Sequence, residues 1–167
     1  MTLLVFHHHY RPGGVRRVIE LGLPGIVGRA GLSIDTVWLV GGEAPEAAWL
    51  ERLQSALRPV QVEVRVDAAL GYASEQRSRS PRATADVRRV VERLAQELSG
   101  REVVVWGHNP SLARNAPATR AWVRAGERYG WRLVFHHHDW WFDNRWQRWP
   151  ELKRAGLGTL ADAARWI

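Results

Sequence analysis

The sequence predicts an α/β fold: one doubly wound, Rossmann-like parallel sheet with core order 3-2-1-4-5, spanning residues 1–167 as a single domain. Three observations lead there. Short apolar runs alternate with amphipathic stretches along the whole chain. Strands joined through helices must pair in parallel, and right-handed crossovers restrict their order. Finally, the 7 histidines fall at the ends of three apolar runs, as His7-His8-His9, His108 and His136-His137-His138.

Each element has its own signal. Leu3 to Phe6 is apolar throughout and reads as a buried strand, followed by a turn at Arg11-Pro12-Gly13-Gly14. A helix opens at Gly14, with Val15, Val18, Ile19 and Gly22 on one face, and Pro24-Gly25 is expected to interrupt it. Asp35 to Val40 is the second strand, closed by Gly41-Gly42, and Glu46 to Leu57 is helical. Val60, Val62, Val64 and Val66 alternate with polar residues, the pattern of a half-exposed strand at a sheet edge. Asp67 to Arg82 reads as a long polar connection. The stripe Val87, Val90, Val91, Leu94, Ala95, Leu98 is the strongest helical signal, ended by Ser99-Gly100. Glu102 to Trp106 is the fourth strand and residues 109–115 a loop. Asn115 and Pro117 then start a helix that runs to Tyr129-Gly130. Arg132 to His136 is the fifth strand, and an aromatic loop, Pro150 and two short helical segments follow.

Composition narrows the function classes. The chain has no cysteine, which removes disulfides and thiolate metal sites. Its longest apolar runs fall far short of a signal-peptide core or a membrane span, so a cytoplasmic protein is expected. The net charge of +7 invites a polyanion reading. However, Lys153 is the only lysine, and arginine elsewhere has the look of a compositional habit, so no nucleic-acid partner is expected. Of 10 tryptophans, Trp131, Trp140, Trp141, Trp146 and Trp149 crowd around the second histidine triplet.

Ligands of doubly wound sheets bind outside the carboxyl ends of the strands, where the strand order reverses. In the expected order the first and fourth strands flank that point. Neighbouring strands lie about 4.8 Å apart, so all three histidine clusters can face one ligand. Beside them, Pro12-Gly13-Gly14-Val15 joins a strand to a helix start, where backbone N–H groups and the helix dipole favour an anion. The same glycines would also serve a tight turn needing positive φ.

The segment His9-Tyr10-Arg11-Pro12-Gly13-Gly14-Val15-Arg16-Arg17-Val18 resembles the opening of family 4-type glycosyltransferases. Gly107-His108-Asn109-Pro110, through Arg114-Asn115, resembles that group's loop after the fourth strand. Phe135-His136-His137-His138-Asp139-Trp140, with Asn144-Arg145, resembles the loop after the fifth. The resemblance spans essentially the whole chain. It implies the amino-terminal, acceptor-side half of a two-domain GT-B enzyme, a retaining hexosyltransferase that uses a nucleotide-sugar. It further implies that Gly13 and Gly14 lie towards the donor phosphates and that His138 is the catalytic histidine, with Asp139 orienting its loop. His136 is the second choice, because alternate strand residues share a face. His9, His108 and Asn109 would shape the acceptor pocket, and Arg145 would suit an anionic acceptor.

The family's second half would hold the donor and the paired glutamates. Glu43 and Glu51 share the eight-residue offset of that pair, but they lie on or beside the helix after the second strand and read as coincidence. The chain ends within an expected helix at Trp166-Ile167, so the isolated chain is expected to bind rather than to turn over. The implied partners are a nucleotide-sugar and a glycan or lipid-linked acceptor, with no cofactor and no metal. The tryptophan-rich loop leaves a peripheral contact with the inner membrane face open. Two rivals stand beside this reading. One is a metal-dependent hydrolase on the converging imidazoles, to which Asp139 and Asp143 could add oxygen ligands. The other is a non-catalytic module that binds glycans or nucleotides.

Overall fold

Five parallel strands form one sheet in the order β3-β2-β1-β4-β5. They are β1 (Thr2–Phe6), β2 (Thr36–Gly41), β3 (Gln61–Val66), β4 (Val103–His108) and β5 (Arg132–His136). The helices are α1 (Gly14–Arg29), α2 (Ala47–Ala56), α3 (Ala83–Glu97), α4 (Ala116–Tyr129) and α5 (Trp149–Arg154). The computed structural model describes residues 1–29, 31, 33–73, 83–112, 114–139, 149–154, 159 and 161. The fold class and strand order are those the sequence predicts.

Strands β1, β2 and β4 are buried along their whole length, which is why they read as unbroken apolar runs. Side chains alternate between two cores. Leu4, Phe6, Trp38 and Val105 face α3 and α4, where Val91, Leu94 and Trp122 meet them. Leu3, Val5, Leu39 and Trp106 face α1 and α2, packed on Ile19, Leu23, Trp49 and Leu53. The first two crossovers, α1 and α2, thus cover one face and the next two, α3 and α4, the other, and the order reverses between β1 and β4. β3 is half-exposed and carries Arg65, which pairs with Glu63 and Glu97, a charged guard on an edge strand.

Two expectations need correction. Helix α1 is not interrupted at Pro24-Gly25 but runs through Pro24 to Arg29. A mid-helix proline costs about 3 kcal/mol. Against that, Ile19 and Leu23 are fully buried, and Ile26 and Val27 pack on the same core. Each such side chain contributes roughly 1.5–3 kcal/mol, so packing outweighs the lost hydrogen bond. Nor is the connection after β3 simply polar. It opens with a 3-10 turn at Ala68–Leu70, where Asp67 Oδ1 accepts from Ala69 N at 3.0 Å and Leu70 enters the core. The remainder of that connection, residues 74–82, lies outside the described residues.

Candidate functional site at the carboxyl edge

The tip of β1 is held from three sides. His7 N donates to Val40 O at 3.2 Å and Gly42 N to His8 O at 2.9 Å. That approach requires Gly41 and Gly42: a Cβ at the first would lie 2.6 Å from His7 O, and at the second 2.3 Å from Gly71 Cα. Tyr10, buried against Trp49, donates its hydroxyl to Val5 O at 2.8 Å and Val40 O at 3.0 Å. Within this frame His7 and His8 diverge. His7 Nδ1 donates to His108 O at 3.3 Å, whereas His8 Nδ1 donates to Leu70 O at 2.8 Å and its ring meets Phe6. Both bonds fix the Nδ1–H tautomer. His9 packs edge-on to Tyr72 at 4.9 Å, and the Arg114 guanidinium lies 5.0 Å over the same Tyr72 ring.

The tips of β4 and β5 form a second cluster. His108 is fully buried and pairs in register with His136. His108 Nδ1 stands 3.2 Å from His138 Nε2, and the rings of His136 and His138 stack at 4.3 Å and 8°. His137 instead meets Phe135, towards the other side of the strand. Asn109 ties the two tips together. Its backbone turns to φ 54°, its N–H donates to His136 O at 2.9 Å, and its Oδ1 accepts from His138 N at 2.6 Å and Asp139 N at 3.3 Å. The histidine clusters do converge on one edge, with the His7 ring 6.4 Å from His108 as the bridge. His8 belongs to the opposite face of the sheet.

Burial sets the charge state. Desolvation, reinforced by His8 and His9, lowers His7 to about 2. Burial lowers His8 to about 4, and burial with His136 and His138 nearby lowers His108 to about 3. His138 is also lowered, first by burial and then by His136, with Asp139 pulling the other way. The edge therefore presents His7, His8, His108 and His138 as neutral imidazoles at neutral pH. These can hydrogen-bond a hydroxyl or ligate a metal.

The glycine turn is open. Gly13 and Gly14 are exposed, neither adopts positive φ, and a Cβ on Gly14 would meet nothing within 4 Å. The turn itself therefore does not demand glycine there. The flanking arginines are committed to carboxylates: Arg11 to Glu43, Arg16 to Glu46 at 3.0 Å, and Arg17 to Glu20 at 3.0 Å. Glu43 thus has a structural partner, and its offset from Glu51 needs no further meaning.

Sequence reasoning missed three residues. Tyr10 and Tyr72 gave no periodic signal; Tyr10 directly follows His9 in the chain, whereas nothing around Tyr72 in the sequence marks it. Asn115 is the helix cap that its position before Pro117 predicts, with Oδ1 accepting from Ala118 N at 3.2 Å. Its Nδ2 also donates to Ala69 O and Gly71 O, both at 2.8 Å, and so ties the loop after β3 to α4. Asp139 is held by Asn109 through its own N–H. Arg145 and Asp143, with Trp140, Trp141 and Trp146, lie outside the described residues.

The chain matches no protein-family model, no curated protein and no solved structure. Among the described residues, no helix is long and apolar enough to cross a membrane.

Proposed function

We propose that this chain is the acceptor-side domain of a retaining, family 4-like GT-B glycosyltransferase that draws on a nucleotide-sugar. The observation that carries the reading is the row of neutral imidazoles at the switch between β1 and β4, beside an open, glycine-lined helix start. His138 contacts the reacting sugar, and Asp139 shapes the loop that carries it. His9, His108 and His136 line the acceptor crevice, and Asn109 holds its β5 rim in place. Gly13 and Gly14 leave room for diphosphate oxygens at the amino end of α1. An anionic acceptor would pair with the Arg145 guanidinium. Catalysis is electrostatic: the leaving diphosphate and the cation-like sugar are stabilised while an acceptor hydroxyl attacks from the same face. A second domain supplies the donor site. The acceptor is a glycan or a lipid-linked sugar, reached in the cytoplasm or at the inner membrane face through the tryptophan-rich loop.

Saturation-transfer NMR of the chain with a panel of oligosaccharides, lipid-linked saccharides and nucleotide-sugars tests this. At least one saccharide is expected to bind, and His138→Ala to weaken it about tenfold, the loss of one hydrogen bond of roughly 1.4 kcal/mol. No saccharide binding across the panel removes the reading.

A further inference from the structure

We infer that His108, His136 and His138 form a binding site for a zinc-like divalent transition-metal ion. One ring nitrogen from each lies within 4.8 Å of the others, and they are the group of this kind found among the described residues. The proposal draws on side chains that the transferase reading also uses, but it needs neither a donor nor an acceptor.

The geometry favours a metal over mere ring packing. Zinc–imidazole bonds of about 2.0–2.1 Å place two tetrahedral ligand nitrogens about 3.4 Å apart. His108 Nδ1 and His138 Nε2 already stand 3.2 Å apart. That distance suits either one shared proton or one shared ion. The third ligand, His136, needs only a small swing of a ring that stacks on His138 at the rim of the sheet. Two of the three positions are fixed by the fold. His108 is the last residue of β4, buried with its ring against Trp106 at 4.3 Å. His138 follows β5, its backbone N–H held by Asn109 Oδ1. Having three imidazoles, no thiolate and no carboxylate in the set selects zinc, copper or nickel over magnesium or calcium. Three protein ligands leave a fourth position for water or a substrate oxygen.

The support behind the ligands limits the affinity. His108 Nε2 is buried with no hydrogen-bond partner, so no carboxylate or carbonyl backs that ring. Such backing is worth about 10–100-fold in metal affinity. The site should therefore bind zinc weakly by the standard of dedicated zinc enzymes, and a chelator should strip it.

The test uses the full, untagged chain, stripped with EDTA and then dialysed against zinc, with bound metal measured directly. One equivalent of zinc is expected. Cobalt in its place should give the intense visible bands of a tetrahedral site. His136→Gln and His138→Gln should each lower zinc affinity at least about tenfold, whereas His137→Gln, on the other side of β5, should leave it unchanged. Thermal melts in EDTA establish that each variant folds; since His136 and His138 lie at the rim, they decide the matter even if His108→Asn does not fold. Substoichiometric zinc overturns the proposal, as does binding that survives both rim variants or that falls equally in His137→Gln. Because these readouts use no sugar, failure to bind glycans leaves them untouched.

Discussion

At Asn109 the chain leaves β4 with a left-handed φ of 54°, and its side-chain oxygen immediately takes up two backbone N–H groups beyond β5. Asparagine suits both tasks, since it tolerates the left-handed region better than other residues with a Cβ. Asn109→Ala loses the acceptor and keeps the strain. It should cost about 1 kcal/mol, since two part-buried backbone donors lose their partner. Asn109→Asp keeps an acceptor and the backbone tolerance, so it should restore most of that loss in a thermal melt. A melt in which both variants fall equally would argue that the side-chain oxygen is not what holds the loop. The buried histidines set a second expectation. His7, His8 and His108 have folded-state values of about 2, 4 and 3, below the ordinary 6.5. The unfolded chain therefore binds more protons than the folded one as soon as pH falls below about 6.5. Stability should be complete above that value and decline as pH drops towards 4, by up to about 1.4 kcal/mol per pH unit for each histidine kept neutral. Denaturant titrations at pH 7.5, 6 and 5 measure the slope, and a flat profile would mean that these side chains are hydrated. The sequence showed that imidazoles would gather at this edge, because strand ends are easy to locate from apolar runs. It could not show that His8 turns to the opposite face, nor that Asn109 Oδ1 takes up the backbone N–H groups of His138 and Asp139, since both depend on contacts across strands.

Among the elements, α1 shows where local signals yield to packing. Pro24, Gly25 and Gly28 all disfavour a helix, yet the helix persists to Arg29 because its other side is buried. Gly25 has nothing within 4 Å of a would-be Cβ and no positive φ. Gly25→Ala should therefore stabilise the chain by roughly 0.5–1 kcal/mol, read as a melting temperature raised by about 1–4 °C. Gly42→Ala should do the opposite. Its Cβ would lie 2.3 Å from Gly71 Cα, a backbone atom that cannot step aside cheaply. Forcing that contact should cost about 1–3 kcal/mol and loosen the tip of β1 that carries the histidines. If Gly42→Ala melts with the parent, the packing between β2 and the loop after β3 is looser than described. The same contrast explains which elements the sequence disclosed. Strands β1, β2 and β4 are buried on both faces and α3 has a full apolar stripe, so their signals are strong. The turn at Ala68–Leu70 carries a single buried side chain, Leu70, too little to register as a pattern.

For the molecule as a whole, the site straddles strands of unequal support. β1 and β4 are central, paired on both sides and buried, while β5 is an edge strand with Val134 about half exposed. His108 hangs from the well-supported side and His136 and His138 from the poorly supported one. Local opening draws on regions with few buried apolar contacts, so protection should fall across the sheet towards its edges. In native-state hydrogen exchange the amides of Leu4 to Phe6 and Val104 to Trp106 should be the slowest, close to the global unfolding limit. Those of β5 and β3 should exchange through smaller openings, at least about tenfold faster, equivalent to 1.4 kcal/mol or more. Anything that joins His108 to His138 couples the edge to the centre, so zinc or a bound saccharide should slow β5 selectively while leaving β3 as it was. Equal protection of β4 and β5 without ligand would mean that the β5 rim is already rigid, with the Asn109 bonds alone sufficient to fix the imidazoles. A slowing shared by β3 would point to global stabilisation rather than closure of the histidine cluster.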